Sequence, residues 1–231
     1  MKTKIKLALW VLCFICFEYG TAQNKYVGVW ESGNKGNIVH KPLLWSAFVN
    51  KDKDMKKQGY RLNDFEIVKK GISVRYVGSW RSNSGKTKLS KALVWQAFLK
   101  KGEQLTKNGY RLIDFETFKK AGKRYYVGYW KKGSGNNIIT KGLKWQAFLA
   151  KGKELTNKGY RLADFEVFKA GGSYLYVGNW RSGTGTNLII KGLNWKNFLK
   201  KGEELTSKGL RLYDVEIIKV GNKRRYVSPC C

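Results

Sequence analysis

Two hydrophobic periods alternate along this chain, and the switch between them marks out a short unit. Within 93–108, Trp95, Phe98, Leu99 and Leu105 fall at i, i+3, i+4 and i+10, with Lys100, Lys101, Glu103 and Lys107 on the remaining positions. This is the pattern of a helix with one buried face. It predicts a helix from Leu93 to Asn108, stopped by Gly109, because a left-handed helix end favours glycine. The next stretch, Tyr110 to Phe118, is aromatic and alternating, which predicts a strand. Strict alternation puts Leu112, Asp114 and Glu116 on one face and Arg111, Ile113 and Phe115 on the other. A turn at Lys120-Ala121-Gly122 predicts a hairpin into a second aromatic strand, of which Arg75 to Arg81 is the preceding copy. The turn residues of Arg81-Ser82-Asn83-Ser84-Gly85 then form a loop leading to the helix.

The whole pattern recurs every 50 residues. Trp30, Trp80, Trp130 and Trp180 are evenly spaced, as are Trp45, Trp95, Trp145 and Trp195. Gly-Tyr-Arg-Leu-x-Asp-Phe-Glu starts at Gly59, Gly109 and Gly159, with a variant at Gly209. Tyr-Val-Gly-x-Trp starts at Tyr26, Tyr76, Tyr126 and Tyr176, and a truncated fifth copy, Tyr226-Val227-Ser228-Pro229-Cys230, has cysteine in the tryptophan slot. Repeats in such strict register predict one α+β domain of tandem strand-loop-helix-strand units. The units run over about 24–73, 74–123, 124–173 and 174–223, with an extra strand at 224–231. A single unit cannot bury both its helix and its two-stranded ribbon, so neighbours must supply the missing core. The expected architecture is an open curved array; a closed α/β propeller-like ring is the alternative.

The first 23 residues depart from this pattern. Lys2, Lys4 and Lys6 precede an apolar run from Leu7 to Phe17 and a small-residue exit at Gly20-Thr21-Ala22. That is the layout of a secretory signal peptide, too short in its apolar part to span a bilayer. It places the protein in the periplasm, on the outer cell surface or in the medium of a bacterial-type cell. Without the leader the chain keeps 43 basic and 15 acidic residues, a net charge of about +28. A field of that size attracts anionic polymers. The expected partners are an anionic polysaccharide, an envelope glycolipid or extracellular nucleic acid. The two remaining cysteines, Cys230 and Cys231, are adjacent, so they cannot staple distant parts of the fold; a disulfide-linked dimer through either is open to them. His40 is the only histidine, which argues against a metal cluster or a Ser-His-carboxylate set. No cofactor is expected.

Candidate contacts follow from chemistry at repeated positions. Trp45, Trp95, Trp145 and Trp195 sit on the predicted helix face and read as structural. Trp80, Trp130 and Trp180 end a strand beside a basic loop, where an aromatic can stack on sugars or bases. Arg81, Lys131 and Arg181 open the glycine loops. Lys41, Lys91, Lys141 and Lys191 recur just before each helix, where a cation does not help the helix, which points to a ligand or a carboxylate partner. Asp64, Asp114, Asp164 and Asp214 read as structural, pairing with arginines or backbone amides of neighbouring units. The Asp and Glu two residues apart also lie about 7 Å from each other along a strand, a separation glycosidases use. Ser84-Gly85-Lys86-Thr87 imitates the end of a phosphate loop, but Trp80 stands where its first glycine should be.

Taken together, Trp95 and Phe98 on a helix, Gly109 to Asp114, and Arg124 to Trp130 resemble the family called bacterial tandem repeat domain 1. The resemblance covers essentially all of 24–226. Similar repeats accompany a β-lactamase-like serine hydrolase domain in fungal polyglycine hydrolases; no such domain is expected here. The resemblance implies an accessory role in binding a substrate or surface, and it brings no catalytic residues. The sequence therefore reads as a secreted or cell-surface binding module for an anionic polymer or glycan. The alternative is a small carboxylate-dependent hydrolase acting on glycans or cell wall.

Overall fold

The computed structural model describes residues 37–186, 188–212 and 214–230. The predicted signal peptide and the first Tyr-Val-Gly-x-Trp copy lie outside them. Four units follow one another in the described chain. The first consists of β1 (Asn37–Leu43), α1 (Trp45–Lys57), β2 (Tyr60–Lys70) and β3 (Ser73–Ser82). The second repeats this as β4 (Thr87–Leu89), α2 (Trp95–Lys107), β5 (Tyr110–Lys120) and β6 (Lys123–Lys132). The third is β7 (Asn137–Ile139), α3 (Trp145–Asn157), β8 (Tyr160–Ala170) and β9 (Ser173–Ser182). The fourth is β10 (Leu188–Leu193), α4 (Trp195–Ser207), β11 (Glu216–Val220) and β12 (Lys223–Cys230).

Each unit is a separate three-stranded antiparallel sheet with its Tyr-Val strand in the middle, in the orders β1-β3-β2, β4-β6-β5, β7-β9-β8 and β10-β12-β11. Among the described residues no closed sheet forms, and the repeats make an open arrangement. Periodicity alone leaves the phase of a repeat arbitrary, and hydrogen bonding sets it differently from the units beginning at 24, 74, 124 and 174. The Tyr-Val strand pairs with the strand before it, so Tyr226–Cys230 completes the fourth sheet instead of adding a fifth strand.

The glycine stops act as expected: Gly59, Gly109, Gly159 and Gly209 have φ of 83°, 73°, 80° and 80°. Two residues on, Arg61, Arg111 and Arg161 donate to a last-turn carbonyl of the preceding helix, at 3.2, 3.1 and 3.1 Å. A cation there also complements the negative end of the helix dipole.

Strand alternation in the Tyr-Val strand divides its side chains between two cores. Tyr126 and Trp130 turn to their own helix, where Phe98 lies 5.5 Å from one ring and 5.6 Å from the other. Val127 and Tyr129 turn the other way, into the core of the first unit with Phe48, Phe65 and Trp80. Val177 enters the second core in the same way, and Val227 the third. All three valines are fully buried, each stabilising the neighbouring unit by roughly 1.5–3 kcal/mol. Hence each of the first three cores is finished by the unit that follows.

Candidate functional site

The inner strands depart from strict alternation. The pairing of β5 with β6 shifts register between Leu112 and Asp114, and the same bulge recurs at Leu62/Asp64 and Leu162/Asp164. One extra residue turns the strand. Leu112 and Phe115 therefore share one core, against the prediction that they lie on opposite faces. Asp114 and Glu116 face the preceding unit. Asp114 accepts a hydrogen bond from the backbone N–H of Phe65 at 2.8 Å, and Asp164 from that of Phe115 at 2.9 Å. Asp214 instead accepts from the backbone N–H of its own neighbour Val215, at 2.6 Å. For Asp114 and Asp164, the partner among those expected is a backbone amide of the preceding unit.

The glutamates gather behind them. Carboxylate oxygens of Glu116, Glu166 and Glu216, from three different units, all lie within 4.8 Å of one another. Glu116 accepts from Ile67 N–H at 3.3 Å; Glu166 accepts from the Thr117 hydroxyl at 3.3 Å, which in turn accepts from Arg124 at 2.8 Å. Burial, reinforced by the neighbouring acids, pushes Asp114, Glu116, Asp164 and Glu216 well above the usual carboxylate range. Burial likewise lifts Glu166 to about 8 and Asp214 to about 7. Three carboxylates this close need either a cation or retained protons. Oxygen-only donors would suit a hard divalent ion; the upward displacement of these acids by burial and by one another favours retained protons. Asp114 and Glu116 are buried between units. A glycan does not reach this pair unless the units part, so the array reads as packing between repeats.

Both sets of tryptophans are drawn into packing. Trp80, Trp130 and Trp180, read from the sequence as stacking platforms, are at most 1% exposed and offer no face to a ligand. The cause is the glycine two residues earlier. A Cβ on Gly128 would lie 2.4 Å from the Trp130 ring and 2.9 Å from Phe98, and Gly78 stands equally close to Trp80. Glycine lets the indole fold back under its own strand. Trp45, Trp95 and Trp145 at the helix starts are half-buried, and Trp195 is 47% exposed. Each packs edge-on to its unit's tyrosine at 5.0–5.1 Å.

Arg81, Lys131 and Arg181 belong to strands, not loops, and stand opposite Arg61, Arg111 and Arg161 in the ladder. Like charges directly opposed on a strand pair are unfavourable to that pairing. Lys41, Lys91, Lys141 and Lys191 are all exposed. Lys191 has a structural partner, its ammonium lying 4.8 Å from the centre of the Trp145 ring in the preceding unit. The cross-link envisaged for Cys230 or Cys231 falls outside the described side chains.

The helix of the first unit and the loop entering the second border an open cleft of about 450 Å³, lined by Lys56, Arg61, Lys86, Thr87, Lys88 and Tyr110. Arg61 joins its walls by donating to Gly85 O across the unit boundary at 2.8 Å. The Lys56 ammonium is 2.5 Å from the buried Asp52, which also accepts from Trp80 Nε1 at 3.2 Å. Among the described residues no carboxylate lines the cleft itself.

A family profile described as "Polyglycine hydrolase-like, structural repeat" matches residues 45–83, 95–133 and 141–182, just over half of the chain. The chain belongs to this family. The polyglycine hydrolase-like repeat begins, in its first two matches, at the helix tryptophan and ends just past the Tyr-Val strand, the phase that the sheets adopt. A search of curated proteins found no match. Lys56, Lys86 and Lys88 lie outside the repeated positions, and their signal in the sequence is that they break the repeat.

Proposed function

We propose that this protein is a binding module that engages an anionic polymer outside the cytoplasm, an acidic polysaccharide first among them, through its cationic outer surface. The observation that carries this reading is the sorting of charge. The Asp and Glu of the inner strands make up half of the 16 acidic residues, and Asp114, Glu116, Asp164, Glu166 and Glu216 among them serve contacts between units. Lysines such as Lys41, Lys91, Lys100, Lys141 and Lys200 point to solvent. The formal charge of +30 therefore understates the positive field that a partner meets. The 50-residue spacing of like surfaces suits a ligand that is itself repetitive, since linked weak contacts reinforce one another. Among the described residues no helix is long and apolar enough to cross a membrane.

The test is salt dependence. Binding to an acidic polysaccharide, measured by calorimetry from about 50 to about 200 mM salt, should weaken by tenfold or more if several counterions are released. Affinity that stays level over this range overturns the reading. Nucleic acid and anionic vesicles, run alongside, rank the polymer classes.

A further inference from the structure

The repeats supply an internal control for function. What the fold requires should recur at every boundary between units; what one boundary has alone, the fold does not require. The arginine bridge recurs: Arg61 donates to Gly85 O, Arg111 to Gly135 O and Arg161 to Gly185 O. The lysines around it do not. Lys56 is replaced by Thr106 and Thr156, Lys86 by Asn136 and Thr186, and Lys88 by Ile138 and Leu188. Lys132, which lies 5.4 Å from the Tyr110 ring at the same boundary, has Ser182 as its counterpart in the next unit. Three equivalent boundaries thus share the bridge, and one of them gathers the lysines.

We propose that the cleft between the first and second units is a specific site for a tetrahedral oxyanion, a phosphate or sulfate group, held by Lys86 and Lys88 with Lys56 and Arg61 behind them. Lys86 and Lys88 are exposed, and among the described residues no salt bridge or side-chain hydrogen bond engages either ammonium. Lys56 is anchored by Asp52, a residue the first unit has in place of Gly102 and Gly152, so its ammonium is held at the cleft wall. Ammonium groups reaching in from separate backbone segments match the three or four acceptor oxygens of phosphate or sulfate better than the two of a carboxylate. The backbone of the cleft is braced by the Arg61 bridge. This inference rests on the anionic-polymer reading and deepens it by naming the charged group recognised and the place where it docks.

The test uses the full chain at constant ionic strength, following backbone amide signals by NMR while inorganic phosphate, a sugar phosphate or acetate is added. The first two arms separate a free ion from an ester carried on a glycan. Saturable shifts at Gly85 to Lys88 that are absent at Gly135 to Ile138, and much weaker with acetate, are expected. The paired change Lys86→Asn and Lys88→Ile, which installs residues the second cleft already carries, should weaken phosphate binding at least tenfold. A charge-matched change on exposed helix lysines, Lys153→Gln with Lys196→Gln, should weaken it less than threefold. Equal shifts at both clefts, equal loss in the two variants, or acetate binding as well as phosphate would overturn the site while leaving polymer binding intact. Failure of the wild-type chain to hold any anionic polymer overturns the broader reading, and the phosphate titration reports on the cleft regardless.

Discussion

Replacing Gly128 with alanine tests the packing that hides the strand tryptophans. The added methyl would sit 2.4 and 2.7 Å from two atoms of the Trp130 ring and 2.9 Å from Phe98. Both rings are at most 1% exposed, and the same core holds Val177 of the next unit, so none of these groups has room to retreat. Overfilling of this kind costs about 1–3 kcal/mol. Gly128 lies in ordinary extended backbone, since its φ is not among the positive ones; alanine there recovers about 0.4–1 kcal/mol by restricting the unfolded chain. The net loss is about 1–2 kcal/mol, or a fall in Tm of roughly 2–8 °C for a domain of this size. Thermal and urea unfolding measure it. The fourth unit carries Ser228 in the glycine slot and Cys230 in the tryptophan slot, as this coupling requires. In a Trp130→Ala background, already destabilised by its cavity, Gly128→Ala should therefore be neutral or stabilising, a coupling of about 1–3 kcal/mol. Gly133→Ala, with nothing within 4 Å of the new methyl, is the control and should be nearly silent. An equal penalty for Gly128→Ala with and without the indole would refute the argument.

Two further outcomes follow from the inner strands. Asp164→Ala strips the Phe115 N–H of its partner in a buried place and should destabilise the fold by about 1–3 kcal/mol, whereas Asp164→Asn, which keeps an acceptor, should cost less; urea midpoints compare them. The buried carboxyls have folded pKa values above their unfolded ones, so the folded state holds more protons between the two. Their contribution is complete below about pH 4, declines as pH rises, and is gone above the folded values of about 7 for Asp214 and about 8 for Glu166. Stability should accordingly drop from pH 5 to pH 9, and Glu166→Gln should flatten the profile. A stability that rises across this interval would contradict the assignment of retained protons.

Much of this architecture is legible in the residues, and the exceptions share a cause. The helix predicted over 93–108 spans Trp95–Lys107, and the strand predicted over 110–118 spans Tyr110–Lys120, because helical periodicity and the glycine stop are local signals. The bulge at Ile113 is not local in that sense. It is set by how the strand pairs with β6, and a period-two reading of Leu112 to Glu116 passes through it unseen. The tryptophans were misplaced for a similar reason. Trp130 looks like a strand end next to a basic loop, and only the bare backbone of Gly128 reveals where the ring goes. Gathering Glu116, Glu166 and Glu216 within 4.8 Å depends on how strongly the array curves, which no single unit encodes. The lysine cleft was legible in principle, as a departure from the repeat at Lys56, Lys86 and Lys88.

The account turns on cores that are finished by the following unit. A fragment carrying the second unit alone, residues 87–133, measured by circular dichroism through a thermal and a urea scan, tests it most directly. Without Val177 to close the space around Phe98 and Trp130, the fragment should show weak signal and a broad, shallow transition. A sharp cooperative melt of the isolated unit, with native-like near-ultraviolet tryptophan signal, would contradict it.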